Sequence, residues 1–304
     1  MRRCNGSPVY NFVYLAEESD KLTWLDSDRN NAAAMADIKP YPMVYGMGGW
    51  EDYLNDFNML PCVELSVMSH EFTHIVTEQT AKLVYKGESG ALNESFSDLM
   101  GISCKKWNEP DAPWMIGTGG LMIGASDMRN MAFPKLSYAG RTPGPDTYKG
   151  MYWVDTESTI DDGGVHTNSS VQNKFFYLLS DGGEGTNDVG YSYKVTGIGI
   201  EKARKIAYLT LTSYAASAST YADIRPAFVK AAGSLYGDNS TETAAVKKAW
   251  DAVGVFENGV MPTGIEETKR DASEATSCYN LNGQRVSKSH KGLVIYKGRK
   301  YLNK

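Results

Sequence analysis

The chain has 304 residues, of which 42% are hydrophobic, and a formal net charge of -5. That length holds one large domain or two ordinary ones with a buried core, and the apolar content argues against a disordered or collagen-like chain. The acidic balance argues against a general nucleic-acid binder, no apolar run reaches the length of a membrane span, and the opening MRRCNGSPVYNFVY lacks the apolar core of a signal peptide.

Residues 1 to about 63 read as strand and loop, with PVYNFVYL of β-type composition and YPMVYGMGGW mixing aromatics with glycines. From about 64 the period becomes helical, and Leu65, Met68, Phe72, Ile75 and Val76 are expected to form one buried stripe. GALNESFSDLMGISCKKW reads as a second helix with Leu92, Phe96, Leu99, Met100 and Ile102 as its apolar positions. A stretch from about 108 to 164 is punctuated by glycine and proline. Four helical segments follow, NSSVQNKFFYLLSD, GIEKARKIAYLTLTSYA, TYADIRPAFVKAAGSLYG and STETAAVKKAWDAVG, the last two with Ser or Thr at N-cap positions. NGVMPTGIEETKRDASEAT suits a linker. The closing SCYNLNGQRVSKSHKGLVIYKGRKYLNK reads as short strands joined at Asn-Gly and Lys-Gly turns. Cys4, Cys62, Cys104 and Cys278 lie far apart, so isolated or buried thiols are expected rather than a disulfide framework.

Two of the four histidines stand four residues apart in VMSHEFTHIVTEQT. Residues four apart share a helix face, so His70 and His74 can offer their imidazoles to one ion, with Glu71 alongside. Buried structural histidines are the alternative for the motif alone. A catalytic zinc takes three protein ligands and leaves one position open. The third histidine of a metzincin is missing, since Thr77 and Thr80 stand where its glycine and histidine would be. The better donor is Glu94 in GALNESFSD, followed four residues later by Asp98, which is placed to accept a hydrogen bond from a ligand imidazole. Asn93, beside Glu94, is assigned to the same supporting layer.

HEFTH, then nineteen residues, then ExxxD resembles the thermolysin family of zinc metallopeptidases; thermolysin is itself a standard example of a His/His/Glu zinc site. MVYGMGGW, DDGGVHTNSS and WDAVGV resemble further segments of that family, so the likeness runs over roughly residues 8 to 256. It implies an α+β, two-lobed fold. A β-rich N-terminal lobe and a mainly α-helical C-terminal lobe flank the active-site helix, and a small β tail follows. It implies one catalytic Zn2+ on His70, His74 and Glu94, with Glu71 taking the proton of the attacking water. His166 and Tyr85 would donate to the oxyanion, with Asp161 orienting the histidine. Arg129 would hydrogen-bond substrate backbone, Asn31 and Ala32 would align substrate along an edge strand, and Met59, Cys62, Val67, Ile116 and Met128 would form an apolar pocket. Cleavage before bulky hydrophobic residues follows.

The chain also departs from the family. The carboxylates of its paired calcium site are replaced by Ser66 and Lys105, so that pair is expected to be absent, with Lys105 as a fixed charge directed toward Asp111, while other calcium sites stay open. The resemblance implies a propeptide and signal peptide not contained in the chain and an incomplete N-terminal lobe. The expected organisation is a partial β-rich domain over 1–80 ending in the HExxH helix, a mainly helical peptidase domain over 81–256, a linker over 257–276 and a β tail over 277–304. That tail resembles sorting modules of secreted Bacteroidetes proteins, which implies a secretion machinery as partner and a secreted or cell-surface location. Two other readings stand beside the endopeptidase: an inactive zinc- or peptide-binding remnant, and an aminopeptidase on the same zinc scaffold.

Overall fold

A computed structural model describes residues 9–14, 31–36, 39, 41–46, 58–59, 63–118, 122–123, 128–136, 143–262, 278–280, 285–286, 292–296 and 299–303, the strand residues 12–14, 58–59, 122–123 and those beyond 277 by backbone alone. The chain divides into two compact units, Met1–Met261 and Pro262–Lys304.

In the first unit, β1 (Tyr10–Tyr14), β2 (Ala32–Ala34) and β3 (Pro42–Gly46) form a sheet in the order β1-β3-β2. β1 runs parallel to β3 and β2 antiparallel to it. The sheet packs on α1 (Leu65–Gln79), which lies against α2 (Gly87–Asn108). Around these, β4 (Asn58–Met59) pairs with β6 (Met122–Ile123), and β5 (Met115–Ile116) with β7 (Arg129–Asn130). Then come α3 (Asp161–Asn168), α4 (Ser170–Asp181), the hairpin β8 (Gly183–Thr186) and β9 (Ser192–Val195), α5 (Ile200–Leu209), α6 (Tyr221–Tyr236) and α7 (Thr241–Ala252). The hairpin was not anticipated. Its sequence, GEGTNDVGYSYKV, is fully exposed along β8, so it lacks the apolar alternation that marks a half-buried strand.

Local chemistry explains the helix starts. Glu64 caps α1, accepting hydrogen bonds from the backbone N–H of Ser66 at 3.0 Å and of Val67 at 3.3 Å. Thr220 and Asp223 form a reciprocal capping box on α6, and Ser240 caps α7. Between α6, α4, α2 and α7 lies an aromatic core in which Phe175 stacks on Trp250 with centroids 3.9 Å apart, and Phe96 on Phe228 at 5.8 Å. All four are fully buried, and each such side chain contributes roughly 1.5–3 kcal/mol by leaving water.

The expected apolar stripe on α1 is only part of its buried face: Ile75 is buried, and Leu65, Met68 and Val76 are partly so. Phe72 is 46% exposed, while Ser66, Val67, His70, Glu71, Thr73, Ile75 and Thr77 are buried. Several of these polar groups have partners, Ser66 on Glu64, Thr73 on the Ser69 carbonyl and His70 on Asp98 of α2, and apolar periodicity alone cannot register such a face. The two helices approach closely: a Cβ on Gly101 would stand 2.5 Å from the Ser66 carbonyl oxygen, so only glycine fits there.

In the second unit, β10 (Cys278–Asn280), β11 (Arg285–Val286), β12 (Gly292–Tyr296) and β13 (Arg299–Asn303) form an antiparallel sheet in the order β11-β10-β12-β13. The strands flank the Asn-Gly and Lys-Gly dipeptides, which lie outside the described residues.

Candidate active site

α1 presents His70 and His74 one turn apart toward α2. The Nδ1 of His70 lies 2.8 Å from Asp98 Oδ1, and the Nδ1 of His74 lies 2.8 Å from Asn93 Oδ1. Asn93 uses its amide N–H on the Leu83 carbonyl at 3.1 Å, which turns its oxygen toward His74. Both Nδ1 atoms therefore donate, and both Nε2 lone pairs point inward. Those two Nε2 atoms stand 3.0 Å apart. Glu94 completes the group, its Oε2 3.4 Å from His70 Nε2 and its Oε1 3.4 Å from His74 Nε2.

A tetrahedral zinc with bonds of about 2.0–2.1 Å holds its ligand atoms about 3.3 Å apart, so these spacings suit it. Two further observations fit a cation. Facing imidazole lone pairs repel unless an electrophile lies between them. Glu94 is 1% exposed and its Oε2 is buried without a hydrogen-bond partner. Electrostatics point the same way. Burial works against charge on Glu94, yet His166, His70 and His74 hold its carboxyl well below the usual range. Burial also works against charge on His70, but Asp98 and Glu94 outweigh it and raise the imidazole to about 10. The site favours positive charge between these residues, and His70, His74 and Glu94 could hold a metal ion.

Glu71, 7% exposed, follows His70 on the same helix. Its negative charge, after burial, is the second cause that pushes the Tyr45 hydroxyl up, which puts the fully buried Tyr45 of β3 in electrostatic reach of Glu71. Across the ligand group, the Tyr85 hydroxyl donates to Glu94 Oε1 at 2.5 Å and lies 3.2 Å from His166 Nε2. Burial and the Glu94 charge push that phenol up, so it stays protonated as a donor. His166 Nδ1 contacts Asp161 Oδ1 at 2.5 Å, and Asp161 Oδ2 accepts the His166 backbone N–H at 3.0 Å.

The local chain path explains how His166 is aimed. Asp161, Asp162, Gly163 and Gly164 all adopt positive φ, from 48° to 84°. A Cβ on Gly163 would meet the Thr156 carbonyl oxygen at 2.3 Å, so the DDGG sequence carries this left-handed turn, at a cost of roughly 1–3 kcal/mol for each non-glycine residue. The turn wraps the Asp161 carboxylate around the first residues of the helical segment that bears His166.

Arg129 is bound to the supporting layer. Its Nε donates to Asp98 Oδ2 at 2.7 Å and its Nη2 to Asp98 Oδ1 at 2.6 Å, a contact the sequence reading did not contain. Asp98 is fully buried, which by itself raises its pKa, but Arg129 and His70 hold it at about 2. On the pocket side, Val67 and Ile116 are buried and Met128 partly so, and the Met128 N–H donates to the Ile116 carbonyl at 2.9 Å. Asn31 is exposed just before β2, and Ala32 opens that strand. Met59 is described by its backbone in β4, and Cys62 lies outside the described residues.

One expectation is corrected. Lys105 does not reach toward Asp111. Its Nζ, buried with the rest of the side chain, contacts Glu64 Oε1 at 2.5 Å and the hydroxyl of Thr118, while Ser66 Oγ donates to Glu64 Oε2 and accepts the Gly117 N–H at 3.0 Å. Glu64 is the capping carboxylate of α1, a nearer and better-shielded partner than a surface aspartate. The sequence reading also missed Glu64, Thr118, Tyr45, Ser95 and Asn173.

The pattern described as "Thermolysin metallopeptidase, alpha-helical domain" matches residues 81–255. The chain is 40% identical over 214 residues to bacillolysin of Bacillus caldolyticus, covering 70% of this chain and 36% of that protein. It is 38% identical over 256 residues to neutral protease B of Bacillus subtilis (strain 168), covering 83% of this chain and 40% of that protein. The solved precursor of protealysin, a metalloproteinase from Serratia proteamaculans, superposes with a TM-score of 0.63 at 28% identity, covering 83% of this chain and 70% of that one. The chain thus spans well under half the length of the curated relatives it matches. With the His/His/Glu group, the match over the helical lobe and this degree of identity, the chain belongs to the thermolysin family of metallopeptidases.

Proposed function

We propose that the chain is the catalytic portion of a secreted zinc-dependent endopeptidase that hydrolyses peptide bonds before bulky hydrophobic residues. The observation that carries this reading is the convergence of His70, His74 and Glu94 on one point, with Tyr85 and His166 beside Glu94. His70, His74 and Glu94 would hold the zinc, which when bound would supply Lewis acidity and a water nucleophilic near neutral pH. Glu71 accepts the proton of the attacking water and passes it to the leaving amine. Tyr85 O–H and His166 Nε2 face the oxygen that gains charge, with Asp161 orienting the imidazole through its Nδ1. Arg129, fixed by two hydrogen bonds to Asp98, is assigned to a substrate carbonyl by resemblance. Val67, Ile116 and Met128 supply an apolar surface for the side chain after the scissile bond, with Met59 and Cys62 assigned to the same pocket by resemblance. Asn31 and Ala32 are assigned to alignment of the substrate strand.

The domain reading of 1–80, 81–256, 257–276 and 277–304 belongs to this proposal, as does the assignment of the β tail to secretion or surface attachment. The residues at the family's paired calcium position do not fit that pair: an ammonium group and a hydroxyl, Lys105 and Ser66, stand where hard cations need carboxylates. The buried Lys105–Glu64 contact supplies the positive charge at the α1 cap instead. Removing calcium while zinc is buffered should leave the melting temperature unchanged, and a large fall would contradict this reading.

The function is tested with an internally quenched peptide blocked at both ends. Internal cleavage before leucine, phenylalanine or isoleucine is expected. Turnover of unblocked peptides alone would indicate an aminopeptidase, and zinc uptake without cleavage would indicate a binding remnant.

A further inference from the structure

Asp98 is the pivot of the metal side. It is fully buried, so no solvent reaches its oxygens. A carboxylate offers about four acceptor positions, and all four are taken. Oδ1 receives His70 Nδ1–H at 2.8 Å and Arg129 Nη2–H at 2.6 Å, while Oδ2 receives Arg129 Nε–H at 2.7 Å and Asn173 Nδ2–H at 2.7 Å. The fourth donor comes from α4, a helix that carries no residue of the reaction centre.

The orientation of Asn173 is set in turn. Its side-chain oxygen accepts the Ser95 hydroxyl at 2.7 Å, and Ser95 neighbours the ligand Glu94 on α2. Both residues are almost wholly buried, Asn173 at 1% and Ser95 at 0%. A serine in a helix interior commonly turns its hydroxyl back to the carbonyl four residues earlier. Here it is spent on fixing the Asn173 amide so that nitrogen, not oxygen, faces Asp98. A flipped amide would set oxygen against a buried carboxylate.

We propose that Asn173, held by Ser95, is a positioning residue for the metal centre: it locks the Asp98 carboxylate and thereby the direction of His70 Nε2. The link also ties the metal ligands to the α3–α4 segment, because Asn173 lies seven residues after His166 on the same run of chain. The inference rests on the reading of His70, His74 and Glu94 as a zinc site. Loss of a partner behind a metal ligand typically lowers metal affinity about 10–100-fold.

The test measures zinc dissociation constants by chelator competition in the full chain, for wild type, Asn173→Leu and the milder Ser95→Ala, alongside melting temperatures of the zinc-free proteins. Phe228→Leu, in the aromatic core, serves as a destabilised control. Asn173→Leu should raise the zinc dissociation constant several-fold, up to the roughly 10-fold lower end of the loss typical for a direct partner of a metal ligand, Ser95→Ala less but in the same direction, and Phe228→Leu not at all. If Asn173→Leu does not fold, Ser95→Ala alone decides. Variants with lowered melting temperatures and wild-type zinc affinity would overturn the positioning role while leaving the zinc site intact. A wild type that takes up no zinc would overturn the metal-centre reading itself.

Discussion

The two sides of the candidate centre are built differently. On the metal side, the side chains of His70, His74 and Glu94 are 7%, 15% and 2% exposed, and each imidazole is held from behind by a buried partner. On the oxyanion side, His166 is 42% exposed by side chain and Tyr85 is also 42% exposed. His166 depends on Asp161 through a left-handed turn, and Tyr85 on hydroxyl contacts with Glu94 and His166. An ion must be met by donors already in place, whereas groups that stabilise a transition state must be reached by substrate. The first demand favours burial and redundancy, the second an open face with few restraints.

That contrast can be broken in graded steps. His74→Ala or Glu94→Gln should remove zinc and abolish cleavage together, as metal analysis and a peptide assay would show. His166→Ala should keep zinc at wild-type stoichiometry while kcat falls about 100–1,000-fold, the usual loss for one oxyanion donor. Zinc loss in this variant would mean that the two sides are not separable. Tyr85→Phe should cost less, about 10-fold or ~1.4 kcal/mol of activation energy, because it removes one hydroxyl and leaves the ring and His166 in place. The smallest effect concerns acid stability. Asp98 sits at about 2 in the folded chain, below the ~3.9 of an unfolded aspartate. Its stabilisation is therefore fully present above the unfolded value and lost as pH falls toward 2. Removing the guanidinium in Arg129→Gln should move acid unfolding to higher pH, while an unchanged acid limb would show that Arg129 does not guard the carboxylate.

The legible part of this centre was its short-range part. HExxH and ExxxD declare themselves because helical spacing converts sequence distance into a shared face, and Asp98 could be paired with a ligand histidine on that ground. The α-helical lobe was readable from apolar periodicity and caps such as Thr220 and Ser240. What escaped were polar contacts between distant segments: Lys105 with Glu64, Arg129 with Asp98, Asn173 with Ser95. Each joins residues 31 to 78 positions apart, and no local pattern encodes such a pairing. The buried polar residues of α1 escaped for a related reason, since apolar periodicity follows water avoidance and says nothing of a histidine such as His70 held by Asp98 of a neighbouring helix.

The most direct measurement compares wild type with Glu71→Gln for zinc content per chain and for cleavage of an end-blocked, internally quenched peptide. Glu71 has no place among the three ligand atoms, so both proteins should bind one zinc, and cleavage should fall by about 100–10,000-fold in the variant, the range for loss of a general base. Equal cleavage by both proteins, with zinc bound in each, would contradict the account.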